Sequence, residues 1–481
     1  MASPKGVSGA IALVLAGGLH AAGFPGLTAH EQDQSAGAER GATQVPRQGT
    51  PAPIRMPRGI YAIVVMDATR AVDLNSLLNN PAVSGLAIRM FWSSLQPKED
   101  RYDFSSLDAA FDSAAAAHKT VQLILVPGFG TPAWVLSELS SCDNLLSPLV
   151  ASGGGGKTDG GRARKADRIR AGKASSRTEK AISGPGSAVS SQAPPCGKAS
   201  FEVSEGAAHG QIRELPLPWN PVYKRHWRAL LTAVSARYGT RDAFVSIAVA
   251  GPTAESVETI LPRTGAQLER WGQLLQLFYS DPSYQQSDRA FVDEWDAAVT
   301  IYGKVFHNVT IVLTRGSGML DFTRGQGKSA EASIVLSFAT HAFDTNAKAT
   351  QTSGMKACRE TKEGIKGVKE TSSNGVYAPF ILGGAQFNTS FSQKPAAEGC
   401  TASCDAESSV CKIITPDQAL SNVLSVYFDG TPDGGLYGAS KGSARMNYLQ
   451  VYEKDILFAN SQPAVQVILA KASQQILKQA R

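Results

Sequence analysis

The sequence has no Cys-x-x-Cys pair, and its seven histidines are scattered. A structural zinc site needs sulfur or imidazole ligands at short spacings, so no metal is expected, and no other cofactor. Beyond the N-terminus no stretch approaches the ~20 apolar residues of a membrane helix, so no membrane span is expected. The first β-prone run, GIYAIVVMD at 59–67, leads into DATRAVD rather than a glycine-rich phosphate loop. That counts against an open, doubly wound nucleotide-binding sheet. A fold-wide positive field is also missing. The formal charge is +6, but residues 151–198 alone carry ten Lys or Arg against three Asp or Glu. The rest of the chain is close to neutral, and basicity so confined does not suggest a nucleic-acid partner.

The N-terminus has the order of an export signal. Lys5 is followed by an apolar stretch from Val7 to Leu19 and by small residues, with cleavage positions after Ala22 or Ala29. Residues 1–29 are therefore expected to be a signal peptide, and the protein to be secreted or periplasmic. Residues 30–57, rich in Gln, Gly, Ala and Pro, are expected to be a flexible leader before a single domain at 58–481. Six cysteines suit an oxidising compartment. Cys142 and Cys196 flank the basic stretch and are expected to pair across its base. Cys358, Cys400, Cys404 and Cys411 form a second group.

Residues 151–198 hold almost no large apolar side chain. Such a segment cannot offset the entropy of ordering it, so a disordered, solvated insertion is expected. Replacing residues 151–194 with a short Gly-Ser linker should leave the thermal midpoint nearly unchanged. A large loss in a calorimetric scan would show that the segment packs.

Elsewhere, apolar β-branched runs alternate with amphipathic stretches. Strands are predicted at 59–67, 83–92, 121–129, 243–251, 308–316, 348–356, 376–387 and 446–456. Helices are predicted at 72–80, 103–119, 220–239, 294–306, 333–343, 417–428 and 463–480, with Ser105 or Ser106 placed to cap the second. Eight strands separated by helices imply parallel βαβ units, and the fold class is α/β, a single (β/α)8 TIM barrel with an insertion after strand three.

In such a barrel the active site lies at the C-terminal ends of the strands. Strand two ends with Arg89 and Trp92, and strand three leads to Phe129 and Trp134. VAGPTAESVET (249–259) follows strand four and carries Glu255 and Glu258. Strand six offers Gln351, strand seven Gln386 and Asn388, and strand eight Tyr452, Glu453 and Asp455. Aromatics can stack on sugar faces, and amides and carboxylates can bond hydroxyls.

Two runs, RMFWSSLQPKEDRYDFSSLDAAFDSAAAAHKTVQLILVPGFGTPAWV and PLPWNPVYKRHWRALLTAVSARYG, resemble the secreted (β/α)8-barrel glycoside hydrolases of the cellulase and β-galactosidase type. There a strand-two Trp precedes a Pro-acidic-x-Tyr-x-Phe turn and a helix opening with Leu-Asp. Here those positions are Trp92, Pro97, Glu99, Tyr102, Phe104, Leu107 and Asp108. The resemblance implies a general acid/base carboxyl after strand four, Glu258 in preference to Glu255, and a nucleophilic carboxylate after strand seven. Gln386 occupies that second position, and an amide cannot act as the nucleophile. Glu453 on strand eight is the substitute. Arg89, Trp92, Trp134, Gln386 and Asn388 are the expected substrate contacts, and the expected partner is a β-linked oligosaccharide or polysaccharide bound by a monomer. A non-catalytic carbohydrate-binding barrel is the alternative, and a surface-adhesion protein working through its basic insertion is a third.

Overall fold

Gly59–Met66 is an unbroken apolar run because both of its faces are covered in the fold. It is strand β1 of the computed structural model, which describes residues 52–66, 72–147, 195–204, 208–315, 319–320, 322, 326–343, 345–355, 382–387, 396–398, 412–418, 420–421, 424 and 445–479. The remaining strands are β2 (Val83–Phe91), β3 (Thr120–Val126), β4 (Lys198–Glu202), β5 (Ile212–Pro216), β6 (Phe244–Ala248), β7 (Thr310–Arg315), β8 (Lys348–Met355), β9 (Leu382–Phe387), β10 (Ala396–Glu398), β11 (Lys412–Ile414) and β12 (Arg445–Tyr452). Eight of them pair in parallel and close on themselves in the order β1-β12-β9-β8-β7-β6-β3-β2. This is the expected (β/α)8 barrel.

The helices are α1 (Leu74–Leu78), α2 (Trp92–Leu95), α3 (Ser105–Ala116), α4 (Ala133–Glu138), α5 (Pro221–Tyr238), α6 (Gly265–Phe278), α7 (Arg289–Val305), α8 (Gln326–Thr340), α9 (Glu453–Ser461) and α10 (Pro463–Gln479). Asn220 caps α5 by accepting from Val222 N and Tyr223 N, and Pro221 needs no partner at the first position. For α3 the expected serine cap is corrected. Phe104 stands at the cap without a side-chain bond, and Asp103 instead accepts from the Ser105 backbone and hydroxyl. A second correction concerns strand eight, which stops at Tyr452. Glu453 opens α9, because two acids in a first turn suit a helix N-terminus better than an extended edge.

The barrel interior is filled. The Tyr61 ring passes over Gly85 to bond Thr120 Oγ1 at 2.8 Å, and meets the Tyr448 ring edge-on at 6.1 Å. Gly85 permits this crossing, since a Cβ there would lie 2.7 Å from the Tyr61 ring and 2.0 Å from Thr120 O. Burial pushes the Tyr61 hydroxyl up to about 12. Above this lies a layer of amides. Gln450 donates to Gln122 at 2.8 Å, Gln351 donates to Gln450 at 2.9 Å, and the Tyr448 hydroxyl donates to Gln351 at 2.8 Å.

The fold begins before the expected boundary at 58. Arg55 donates to Gly239 O, Arg241 O and Asn308 O, and its backbone bridges to Val309. Met56 packs against Val312 and Ala349. This segment closes the barrel at the end where its strands begin.

Outside the sheet, the motif of the resemblance proves to be a packing unit. Trp92 is fully buried; its Nε1 donates to Gln96 Oε1 at 3.0 Å, and Gln96 Nε2 donates on to Glu99 O at 2.8 Å. Tyr102 stacks on Phe104, whose ring meets Tyr238 edge-on. Asp108 accepts from Arg237 Nε and the Tyr238 hydroxyl, both at 2.8 Å, tying α3 to α5. The Arg237 bond holds the Asp108 carboxyl below the usual carboxylate range. Asp108→Asn should therefore cost about 1 kcal/mol at neutral pH, a solvent-screened figure. Because the folded value lies below the unfolded one, the contribution is present above roughly pH 4 and lost as pH falls through the folded value. Urea titrations at pH 7 and pH 3 should show a gap between the proteins that closes in acid. A gap that persists in acid would put the loss down to packing.

The expected disulfide is present. Cys142 and Cys196 are joined with Cα atoms 5.2 Å apart, and both are buried. Residues 148–194, with most of the insertion, lie outside the described residues, as do the other four cysteines. The chain re-enters through the antiparallel hairpin of β4 and β5, which the alternation of strands and helices did not signal. Cys142 N donates to Lys198 O, and Asp143 accepts from Ser200 N and Oγ and from Arg270. No helix among the described residues is long and apolar enough to cross a membrane.

Candidate active site

Side chains alternate along a strand, so the amide layer fixes which residues face inward. Gln122 bonds across the interior, which places Ile124 on the same face of β3. Arg89 pairs with Ile124 in register and so faces the barrel mouth. One Arg89 NH2 donates to the backbone oxygen of Glu255. The arginine thus spans from β2 to the loop after β6.

That loop, residues 249–260, is a compact structure of its own. Ala254 N donates to Ile260 O at 3.1 Å, Ile260 N to Glu258 O at 2.7 Å, and Thr253 Oγ1 to Glu258 O at 2.7 Å. It is pressed onto the turn after β3, where Phe129 N donates to Ala254 O at 2.8 Å. Gly128 lies beneath it with φ +66°, and a Cβ there would sit 2.3 Å from Ala254 O. Both the backbone conformation and the close approach call for glycine.

The two acids of the loop have different surroundings. Glu255 Oε1 accepts from Ser204 N at 2.7 Å, so its carboxylate anchors the connection between β4 and β5 just after β4 ends. Glu258 is buried, at 8% exposure. Among the described residues its carboxylate makes no hydrogen bond, and its backbone alone holds it. Glu453 and Asp455 are buried in the first turn of α9, directly beyond the end of β12.

The aromatic candidates do not form a platform. Trp92 has no exposed face; it packs against Trp134 at 6.5 Å, Tyr223 at 5.9 Å and Trp227 at 5.2 Å. Its expected role as a sugar contact is corrected to core packing. Trp134, half-buried, donates to Gln96 O and meets His226 edge-on, so its polar edge is used inside the fold. Gln351, expected near the rim, is buried in the amide layer. Gln386 pairs in register with Gln450, which places it on the β9 strand beside β12. Asn388 lies outside the described residues.

The interior amides were missed as a layer. Their signal was available: Gln122 in TVQLILV and Gln450 in MNYLQVY are polar residues set between apolar ones on buried strands. Among the described residues no cluster of acids, histidines and cysteines could hold a metal ion.

Residues 70–142 match the Glyco_hydro_42 family, described as Beta-galactosidase. The likeness is confined to that stretch. It covers β2, the Trp92 packing unit, α3, β3 and α4, and it ends before Glu255, Glu258 and Glu453. No curated protein matches the chain. Among solved structures, it is similar to native xylanase 10B from Thermotoga maritima, at 7% identity and a TM-score of 0.40, over 87% of this chain and 96% of that one. It is also similar to a GH42 β-galactosidase from G. stearothermophilus, at 10% identity and a TM-score of 0.44, over 89% of this chain. A β-galactosidase from Rahnella sp. R3 follows at 11% identity and a TM-score of 0.42, over 90% of this chain. The chain spans 58% of the length of each of these two β-galactosidases.

Proposed function

We propose that this is an exported glycoside hydrolase-like barrel acting on a β-linked oligosaccharide or polysaccharide at the mouth formed by the strand ends. The observation that carries the reading is Glu258. A carboxylate held by its backbone, buried, and free of hydrogen bonds among the described residues stands on the loop after the fourth barrel strand. A carboxyl at the end of the fourth barrel strand is the group that a two-carboxylate glycosidase uses to protonate the leaving oxygen. Arg89 fixes the loop from the opposite side of β3. Glu453, at the exit of the eighth barrel strand, is the second carboxylate for the two-acid chemistry of glycoside cleavage. Export is supported by the N-terminal sequence and by the Cys142–Cys196 disulfide.

A second reading rests on Gln386. An amide on the seventh barrel strand, where the resemblance places the nucleophile, suits a barrel that binds glycans without cutting them. One experiment separates the two. The mature protein is incubated with aryl β-glycosides and plant polysaccharides, and released sugar and retained ligand are both measured. Release supports the hydrolase, and retention without release supports the binding barrel. Neither release nor retention across the panel would refute both.

A further inference from the structure

A crevice lies between α5 and α7, against the start of the loop that follows β6. Its walls are Pro216, Trp227, Ala298 and Ile301, with Gly251 and Pro252 closing one side. Lys224 and Glu294 also line it. Lys224 Nζ donates to both Glu294 oxygens at 2.9 Å, with the lysine side chain 35% exposed and the glutamate side chain 14% exposed.

We propose that this crevice is a binding site for a small neutral aromatic carrying one hydroxyl, of the phenol class. The apolar walls suit a flat ring, which loses nothing by leaving water. The ion pair supplies one acceptor and one donor close together, which a single hydroxyl satisfies by donating to Glu294 and accepting from Lys224. A charged ligand would be attracted by one partner and repelled by the other. A sugar would bring several hydroxyls against mostly apolar walls, where beyond the ion pair only Thr253 and the polar ends of Tyr223, Trp227 and Tyr302 stand, and each hydroxyl buried without a partner costs more than a made hydrogen bond returns. Desolvation raises the Glu294 carboxyl above its usual range, although Lys224 opposes this. A weakly solvated acceptor is the kind that gains from a neutral donor.

The crevice borders the loop that carries Glu258, but its test needs no turnover. Phenol, toluene and methyl glucoside are titrated into the full chain by calorimetry. Phenol is expected to bind one site with a Kd on the order of 1 mM, the scale for so few atoms. Toluene should bind about fivefold more weakly, having no hydroxyl, and methyl glucoside should not compete with phenol. Ala298→Phe fills the crevice and should abolish phenol binding. The double variant Lys224→Met with Glu294→Gln removes both charges without filling the space, and should weaken phenol about fivefold while leaving toluene unchanged. No saturable phenol binding below about 20 mM overturns the proposal. So does undiminished binding in a folded variant of either kind, or displacement of phenol by the glucoside.

Discussion

Glu258→Gln is expected to lower turnover of an aryl β-glycoside by about 100-fold or more, the scale for losing a general acid. The fold should not change. The loop is held by Thr253 Oγ1 and Ile260 N on the Glu258 backbone oxygen, and those bonds survive a change of side chain. A substrate with a very good leaving group should recover part of the rate, because it needs little protonation. Glu255→Gln should matter much less, since a glutamine oxygen can still accept from Ser204 N. Steady-state kinetics on both variants decide the assignment. If Glu255→Gln is the inactive protein and Glu258→Gln the normal one, the acid has been misassigned. If neither changes the rate on a confirmed substrate, the loop is only scaffolding.

Removal of the disulfide by the double change Cys142→Ala and Cys196→Ala should destabilise the protein by about 4 kcal/mol, the chain-entropy value for a closed loop of this length. The bond spans a sequence separation of 54. The cost should appear as a lower urea midpoint together with a steeper slope, because the unlinked unfolded chain exposes more surface. The β4–β5 hairpin has other anchors. Asp143 accepts from Ser200 N and Oγ and from Arg270, and Gln267 Nε2 donates to Glu202 O at 2.8 Å. For Asp143, burial raises the carboxyl, but bonds from Ser200 and Ser141 and the charge of Arg270 outweigh it and leave the group below its usual range. The hairpin should therefore persist without the covalent link. A change of less than about 1 kcal/mol would mean that the unfolded chain is little constrained by the bond.

Most of the barrel was legible because its strands are buried on both faces. Runs such as AFVSIAVAG and NVTIVLTRG declare themselves by apolar continuity, and β6 and β7 fall within them. The helices between them show their own period, as Trp227, Leu230, Leu231, Val234 and Tyr238 do along α5. The hairpin β4–β5 was not legible. KASFE and IRELP are short and mixed in character, and their pairing is backed by distant anchors, Asp143 on Ser200 and Gln267 on Glu202, rather than by local preference. The end of strand eight was misjudged because β-prone side chains continue from Tyr452, where the strand stops, to Ile456 beyond it. The acids at 453 and 455 decided for helix. In the site, a linear reading gave the position of each residue along a strand but not the use of its side chain. Trp92 stands where a sugar platform was expected, yet Gln96, one turn on, takes its indole nitrogen inward. Glu255 and Glu258 are three residues apart on one loop. Only their contacts separate an anchor from a candidate acid.

The closed end of the barrel sets a rule of traffic. With Met56 against Val312 and Ala349, and a layer of bonded amides above it, the barrel is a blind cup rather than a tunnel. Whatever enters at the mouth must leave by the same opening. A ligand at the rim therefore meets the barrel strands from one side only.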